Sequence, residues 1–138
     1  MSFIERIINY TIQHGEIVIR NGVKPWPHEI RTAEALAAHG CTVIFLRRIE
    51  GDHRNSADVE IDGREWEIKS PISSSLSNVQ KTLRKGAHQS CCIIYDSQRV
   101  KNLTDFQIER ELRKQAKDFR SLRRVLFVNK RREVIDIK

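Results

Sequence analysis

Asp58, Glu67 and Lys69 are the residues whose types and spacing could do chemistry together. They flank Asp62-Gly63, and Asp-Gly between alternating apolar and polar residues is among the strongest short-range signals for a two-residue hairpin turn. That turn fixes the register: Ile61 faces Arg64, Glu60 faces Glu65, Val59 faces Trp66 and Asp58 faces Glu67. Alternation sends Ala57, Val59, Ile61, Trp66 and Ile68 to one face, the core, and Asp58, Glu60, Glu65, Glu67 and Lys69 to the other. Two carboxylates set opposite one another, with Cβ atoms about 5 Å apart, repel. A divalent cation between Asp58 and Glu67 would offset that, and hard oxygen ligands suit Mg²⁺ or Mn²⁺. Lys69 then sits where it can orient or polarise a water and stabilise charge building on a phosphate. Together these are the parts needed to hydrolyse a phosphodiester. Glu60 and Glu65, nearest the turn, read instead as a solvated hairpin face.

The elements that must position these residues follow from patterning. Phe3, Ile4, Ile7, Ile8 and Thr11 repeat at helical spacing, and Ile17 to Ile19 is a short strand candidate; residues 1–26 read as an N-terminal extension to a single domain covering 1–138. Pro27 suits the first turn of a helix over about 28–39, which Gly40 stops. The β-branched run 41–46 is a buried strand, and a polar loop with Gly51 and Asn55 leads into the hairpin 57–70. A helix from about Ser77 carries the apolar stripe Val79, Leu83 and Ala87. Residues 91–95 form another buried strand, in which Cys91 and Cys92 are core thiols without disulfide or zinc spacing. Thr104 and Gln107 make a capping box for a helix to about Phe119, and 125–128 with 134–137 close the chain as a second hairpin. The expected architecture is an α/β fold in which a mixed β-sheet is flanked by helices, ordered helix, three-strand antiparallel meander, helix, strand, helix, hairpin.

Charge points to the partner. The 138 residues carry 25 Lys+Arg against 18 Asp+Glu, and residues 99–138 hold thirteen of the former and six of the latter, leaving twelve of each before them. The whole surplus lies in the last third, which favours a polyanion there. Arg113, Lys114, Lys117 and Arg120, with Arg110, Arg123, Arg124, Lys130, Arg131 and Arg132, supply charge for a phosphate backbone. Gln80, Arg84 and His88 fall at i, i+4 and i+8 on one flank of their helix and could reach phosphates too. His14, His39 and His53 show no ligand spacing. No apolar run approaches the roughly 20 residues that span a bilayer, and no signal-peptide pattern opens the chain, so a cytoplasmic protein without a membrane partner is expected.

Asp58, eight residues, then Glu67-Ile-Lys69 resembles the D…(D/E)xK signature of the PD-(D/E)XK nuclease superfamily, and the element order resembles its restriction-endonuclease-like fold. The stretch from Arg31 to Asp96, with Ala-Glu-Ala-Leu-Ala-Ala-His-Gly, Ala-Asp-Val-Glu-Ile-Asp-Gly and Trp-Glu-Ile-Lys-Ser-Pro, is similar to the C-terminal tRNase domains of contact-dependent growth-inhibition (CdiA-like) toxins. By that resemblance Glu34 supplements the metal site, Gln80 supports catalysis, transfer RNA is the substrate and a neutralising immunity or antitoxin protein is a partner. Ala57 stands where the superfamily usually has a proline.

Three functions compete. The first is a metal-dependent nuclease on RNA, with DNA equally open chemically. The second is a metal-independent RNase of the barnase, colicin and RelE kind, in which Lys69, His88 and a hydroxyl from Ser70, Ser73, Ser74 or Ser75 drive attack by the RNA's own 2′-hydroxyl; it leaves the acid pair without a role. The third is a non-catalytic nucleic-acid-binding protein, for which the basic C-terminus suffices.

Overall fold

The computed structural model describes residues 14–47 and 57–138; the helical periodicity at residues 3–11, the loop at Gly51 and Asn55, and His53 lie outside the described residues. Within them the order is β1 (Ile17–Val18), α1 (Pro27–Ala38), β2 (Val43–Phe45), β3 (Val59–Ile61), β4 (Arg64–Lys69), α2 (Ser77–Ala87), β5 (Cys92–Asp96), α3 (Asp105–Asp118), β6 (Arg124–Val128) and β7 (Val134–Asp136). The strands form one mixed sheet in sequence order, β1 to β7. The β2–β3–β4 meander and the β6–β7 hairpin are antiparallel, and β1–β2, β4–β5 and β5–β6 are parallel.

This is the expected α/β order with one addition. Ile17 and Val18, assigned from sequence to an extension, pair with Val43 and Ile44 and so belong to the sheet. The β-branched run there marks a strand in the sequence; what local patterning does not show is its parallel pairing with β2.

Two cores lie on opposite sides of the sheet. Ala33 and Leu36 of α1 pack on Val43, Val59, Trp66, Ile68 and Ile94. Val79 and Leu83 of α2 and Ile108 and Leu112 of α3 pack on Ile93, Tyr95, Val125 and Phe127. Burial pushes the Tyr95 phenol up to about 12. Cys92 is buried but Cys91 is exposed, because β5 begins one residue later than the apolar run suggests. The Thr104 hydroxyl accepts from the Gln107 amide at 3.1 Å, while Gln107 Oε1 accepts from the Thr104 amide at 2.9 Å, completing the expected capping box.

One buried network ties α1 to the far strands. Asp96, with no exposed surface, accepts from Thr32 Oγ1 (2.6 Å), Gln98 Nε2 (2.9 Å) and both terminal nitrogens of Arg132 (2.9 Å each). A fully buried carboxylate demands such donors.

Candidate active site

The β3–β4 turn has the expected form. Asp62 and Gly63 both take positive φ, 52° and 78°, as a tight hairpin turn of the primed type requires. Val59 pairs with Trp66, Glu60 with Glu65 and Ile61 with Arg64, as expected, but the ladder ends there: the Asp58 amide donates to the Trp66 carbonyl at 3.0 Å, so Asp58 does not pair with Glu67 and reaches β4 through its side chain instead. Both acids are buried, at 5% and 4% exposure, whereas Glu65 nearer the turn is exposed and Glu60 half-buried.

Burial of two like charges is tolerated here because each has compensating contacts. Asp58 Oδ2 accepts the Ile68 backbone N–H at 2.9 Å, across the hairpin. Lys69 Nζ lies 3.8 Å from Glu67 Oε1. The Lys69 stem passes beneath α2 at Gly86, where an added Cβ would stand 3.6 Å from Lys69 Cε and 2.5 Å from Ile93 Cδ1. Glycine at that position is what lets the helix approach β4 and β5 this closely.

Two cavities adjoin the acids. One, of about 330 Å³, is lined by Asp58, Glu29, Phe45, Arg47 and Lys24. The other, of about 310 Å³, is lined by Lys69, Ser70, Lys81, Lys85, Arg99 and His28 among others, with no carboxylate in its wall. Partial burial lowers the pKa of His28, and the nearby Arg99 guanidinium lowers it further, against the opposing pull of Glu29 and Asp58.

The structure thus brings Asp58, Glu67 and Lys69 together and separates other residues assigned to the site. Glu34 is exposed and faces Arg132 electrostatically; the acid of α1 that shares a cavity with Asp58 is Glu29, buried, whose Oε1 accepts the Trp26 amide at 2.8 Å. Five residues turn a helix by about 500°, so Glu29 and Glu34 point about 140° apart. Gln80, Arg84 and His88 are exposed and do not line the cation-rich cavity; Asn78, Lys81, Thr82 and Lys85, on the opposite flank of the apolar stripe, do. Periodicity identifies both flanks of α2, and only its placement across β4 selects one.

The C-terminal basic residues are divided. Lys114, Lys117 and Arg120 are exposed on and after α3, and Arg113 pairs with Glu109 at 3.2 Å. Others serve the fold: Arg132 holds Asp96, Arg124 lies over the Trp66 ring at 5.6 Å, and Lys130 Nζ and Lys138 Nζ donate to the Leu103 and Ala116 carbonyls. His28, Glu29, Lys81, Lys85 and Arg99, which line the two cavities, were not singled out by sequence reasoning. Only Glu29, an acid in a first turn opened by Pro27, carries any local signal.

The family model for the contact-dependent growth inhibition CdiA C-terminal domain matches residues 54–134. The chain belongs to this family. The matched stretch contains the acid pair, Lys69 and the α2 flank, and leaves His28 and Glu29 of α1 outside it. As a CdiA C-terminal domain the chain is of a toxin class that acts in contact-dependent growth inhibition. A solved structure described as a CdiA-CT/CdiI toxin and immunity complex from Burkholderia pseudomallei is similar in fold, with a TM-score of 0.67, at 18% identity over 90% of this chain and 99% of that one. A comparison with curated proteins gave no match.

Proposed function

We propose that this CdiA C-terminal domain is a metal-dependent endonuclease of the PD-(D/E)XK type that intoxicates cells by hydrolysing RNA, transfer RNA above all. The observation that carries the reading is the buried Asp58–Glu67 pair with Lys69 3.8 Å from Glu67 and at the wall of a cation-lined cavity. Asp58 and Glu67 would hold Mg²⁺ or Mn²⁺. The chemistry of the donors suits such an ion, since both side chains offer hard carboxylate oxygens and Mg²⁺ is commonly held by one or two carboxylates with waters and substrate phosphates completing its shell. When bound, the ion supplies Lewis-acid charge and a water of lowered pKa.

The chain's own groups do the rest. Lys69 stabilises the negative charge that grows on the non-bridging oxygens of the phosphodiester as water attacks phosphorus, and the cations of the adjoining cavity, Lys81, Lys85 and Arg99, attract the strand that carries it. The P–O bond to the leaving nucleoside breaks, the attacking water gives up a proton to solvent, and the leaving oxygen takes up one from solvent in its place. The exposed basic residues of α3 add sequence-independent attraction for the polyanion. An immunity protein is the natural partner for a toxin of this class, and the similar solved structure is of a toxin with its immunity partner. RNA as target puts the site of action in the cytoplasm.

One observation favours a second reading. His28, whose pKa is lowered by partial burial and by the Arg99 guanidinium, could serve as general base for attack by the RNA's 2′-hydroxyl, a role His88 cannot take from its exposed flank. Incubating the purified protein with total RNA, plasmid DNA and single-stranded DNA, each with Mg²⁺, Mn²⁺ or EDTA, tests both. The metal-dependent reading expects RNA cleavage abolished by EDTA, without cyclic-phosphate ends. Cleavage persisting in EDTA with 2′,3′-cyclic phosphate ends would transfer the chemistry to His28, and cleavage of DNA alone would refute the substrate.

A further inference from the structure

Ser70 is the residue of the site whose environment is least explained by folding. It is buried, at 7% exposure, and its hydroxyl is enclosed without a hydrogen-bond partner, although it lines the cation-rich cavity. A buried hydroxyl left in that state costs about 1–3 kcal/mol, which nothing in the packing around it offsets. At the wall of a cavity, such a hydroxyl points to a group that arrives from outside.

The neighbours say which group. Arg99 donates through both Nε, at 2.9 Å, and Nη2 to the Ser70 carbonyl, which fixes the guanidinium in the cavity wall and places it beside the serine. Lys81 and Lys85 face the same cavity from α2, and Thr82 between them is buried, its hydroxyl accepting from Asn78 Nδ2 at 3.4 Å. An arriving group meets four cationic side chains counting Lys69, a hydroxyl ready to donate, a partly buried imidazole at His28 and no carboxylate in the wall. A guanidinium with ammonium groups and a hydroxyl is the donor set of a phosphate site.

We infer that Ser70, Arg99, Lys81 and Lys85 form a phosphate subsite distinct from the acid pair, which holds an internal backbone phosphodiester next to the one cut between Asp58 and Glu67. The inference rests on the nuclease reading for its neighbour, but the subsite's binding of phosphate does not depend on cleavage. Lys69 stands between the two, in the wall of the subsite and 3.8 Å from Glu67, so a strand bound in the subsite is led onto the acids. The subsite selects a polynucleotide over a mononucleotide, because one phosphate must be held while its neighbour reacts.

The test is binding measured by NMR, in EDTA, with two probes: inorganic phosphate, and a 2′-O-methyl oligonucleotide with or without a 5′-terminal phosphate, which resists attack by its own 2′-hydroxyl. Saturable shifts at Ser70, Thr82, Lys85, Arg99 and the His28 ring are expected with inorganic phosphate and with both oligonucleotides. Ser70→Ala should weaken phosphate binding about tenfold, the loss of one hydrogen bond to a charged group. It should nevertheless leave the ligand-free protein as stable as before or more so, since an enclosed, unsatisfied hydroxyl is gone; a purely structural serine would behave in the opposite way. Lys81→Gln with Lys85→Gln, both exposed and outside either core, should weaken it further. In cleavage, Ser70→Ala should raise KM more than it lowers kcat. Shifts that never saturate, or that centre on α3, would overturn the subsite, as would binding restricted to the 5′-phosphorylated oligonucleotide. If the subsite binds as expected while Glu67→Ala still cleaves RNA, the subsite stands and the acid-pair reading falls.

Discussion

Removing the Lys69 charge while keeping its bulk, as in Lys69→Met, probes how the buried acids are tolerated. At 3.8 Å and an effective dielectric constant of about 20, the Lys69–Glu67 attraction is about 4 kcal/mol. Two buried carboxylates on neighbouring strands repel by a comparable amount, about 3 kcal/mol for a separation of about 5 Å on the same scale. The two nearly cancel, so the lysine acts as an internal counter-ion in the metal-free protein. Its removal exposes the repulsion, less the relief of no longer desolvating an ammonium group that is 22% exposed. Glu67 keeps further interactions and Asp58 keeps the Ile68 amide, so the net loss should be about 2 kcal/mol, below the 3–5 typical of breaking a buried pair. Urea denaturation in EDTA should show that loss with an unchanged m-value. Mg²⁺ should then bind the variant more tightly than the parent and restore more stability, because it no longer meets a neighbouring ammonium, while cleavage is lost. A variant as stable as the parent in EDTA refutes the counter-ion argument. Weaker Mg²⁺ binding in the variant refutes Asp58 and Glu67 as the ion's ligands.

Arg132→Ala should cost about 3 kcal/mol in thermal or urea unfolding, because it leaves the Asp96 carboxylate fully buried without its bidentate partner, though Thr32 and Gln98 still donate to it. His28 has a folded pKa below its ordinary value, so between that value and about 6.5 the unfolded chain binds more protons and stability falls as pH falls; His28→Asn should flatten this part of the stability–pH curve, and an unchanged curve would mean that His28 is not desolvated. Neutralising Arg113, Lys114, Lys117 and Arg120 should weaken RNA binding across sequences and reduce its salt dependence, with little change in turnover at saturating substrate; anisotropy titrations over a salt series would show instead equal binding at every salt concentration if that face is only solvated. Glu67→Ala should bind RNA in EDTA as well as the parent or better, since a negative charge near the phosphates is gone, and weaker binding would place that carboxylate among the substrate contacts.

The sequence by itself determined whatever depends on near neighbours. Asp62-Gly63 dictated a turn and the turn dictated the register from Ile61–Arg64 to Val59–Trp66, while the departure at Asp58, whose amide turns to the Trp66 carbonyl, was not legible. Helix starts at Pro27 and Thr104 were likewise legible because capping is a matter of three or four residues. Only the tertiary structure decided what converges on that hairpin. Glu29 rather than Glu34 shares a cavity with Asp58 because α1 packs through Ala33 and Leu36, and Lys81 and Lys85 rather than Arg84 and His88 face Lys69 because Gly86 lets α2 lie close over β4. Arg99 and Ser70 meet across 29 positions of chain. The C-terminal charge surplus, uniform in composition, splits into Arg124, Lys130 and Arg132 spent on the fold and Lys114, Lys117 and Arg120 left in solvent. The physical reason is common to all of these: a helix's periodicity defines its faces, but the choice of which face meets which strand is made by packing between residues far apart in sequence.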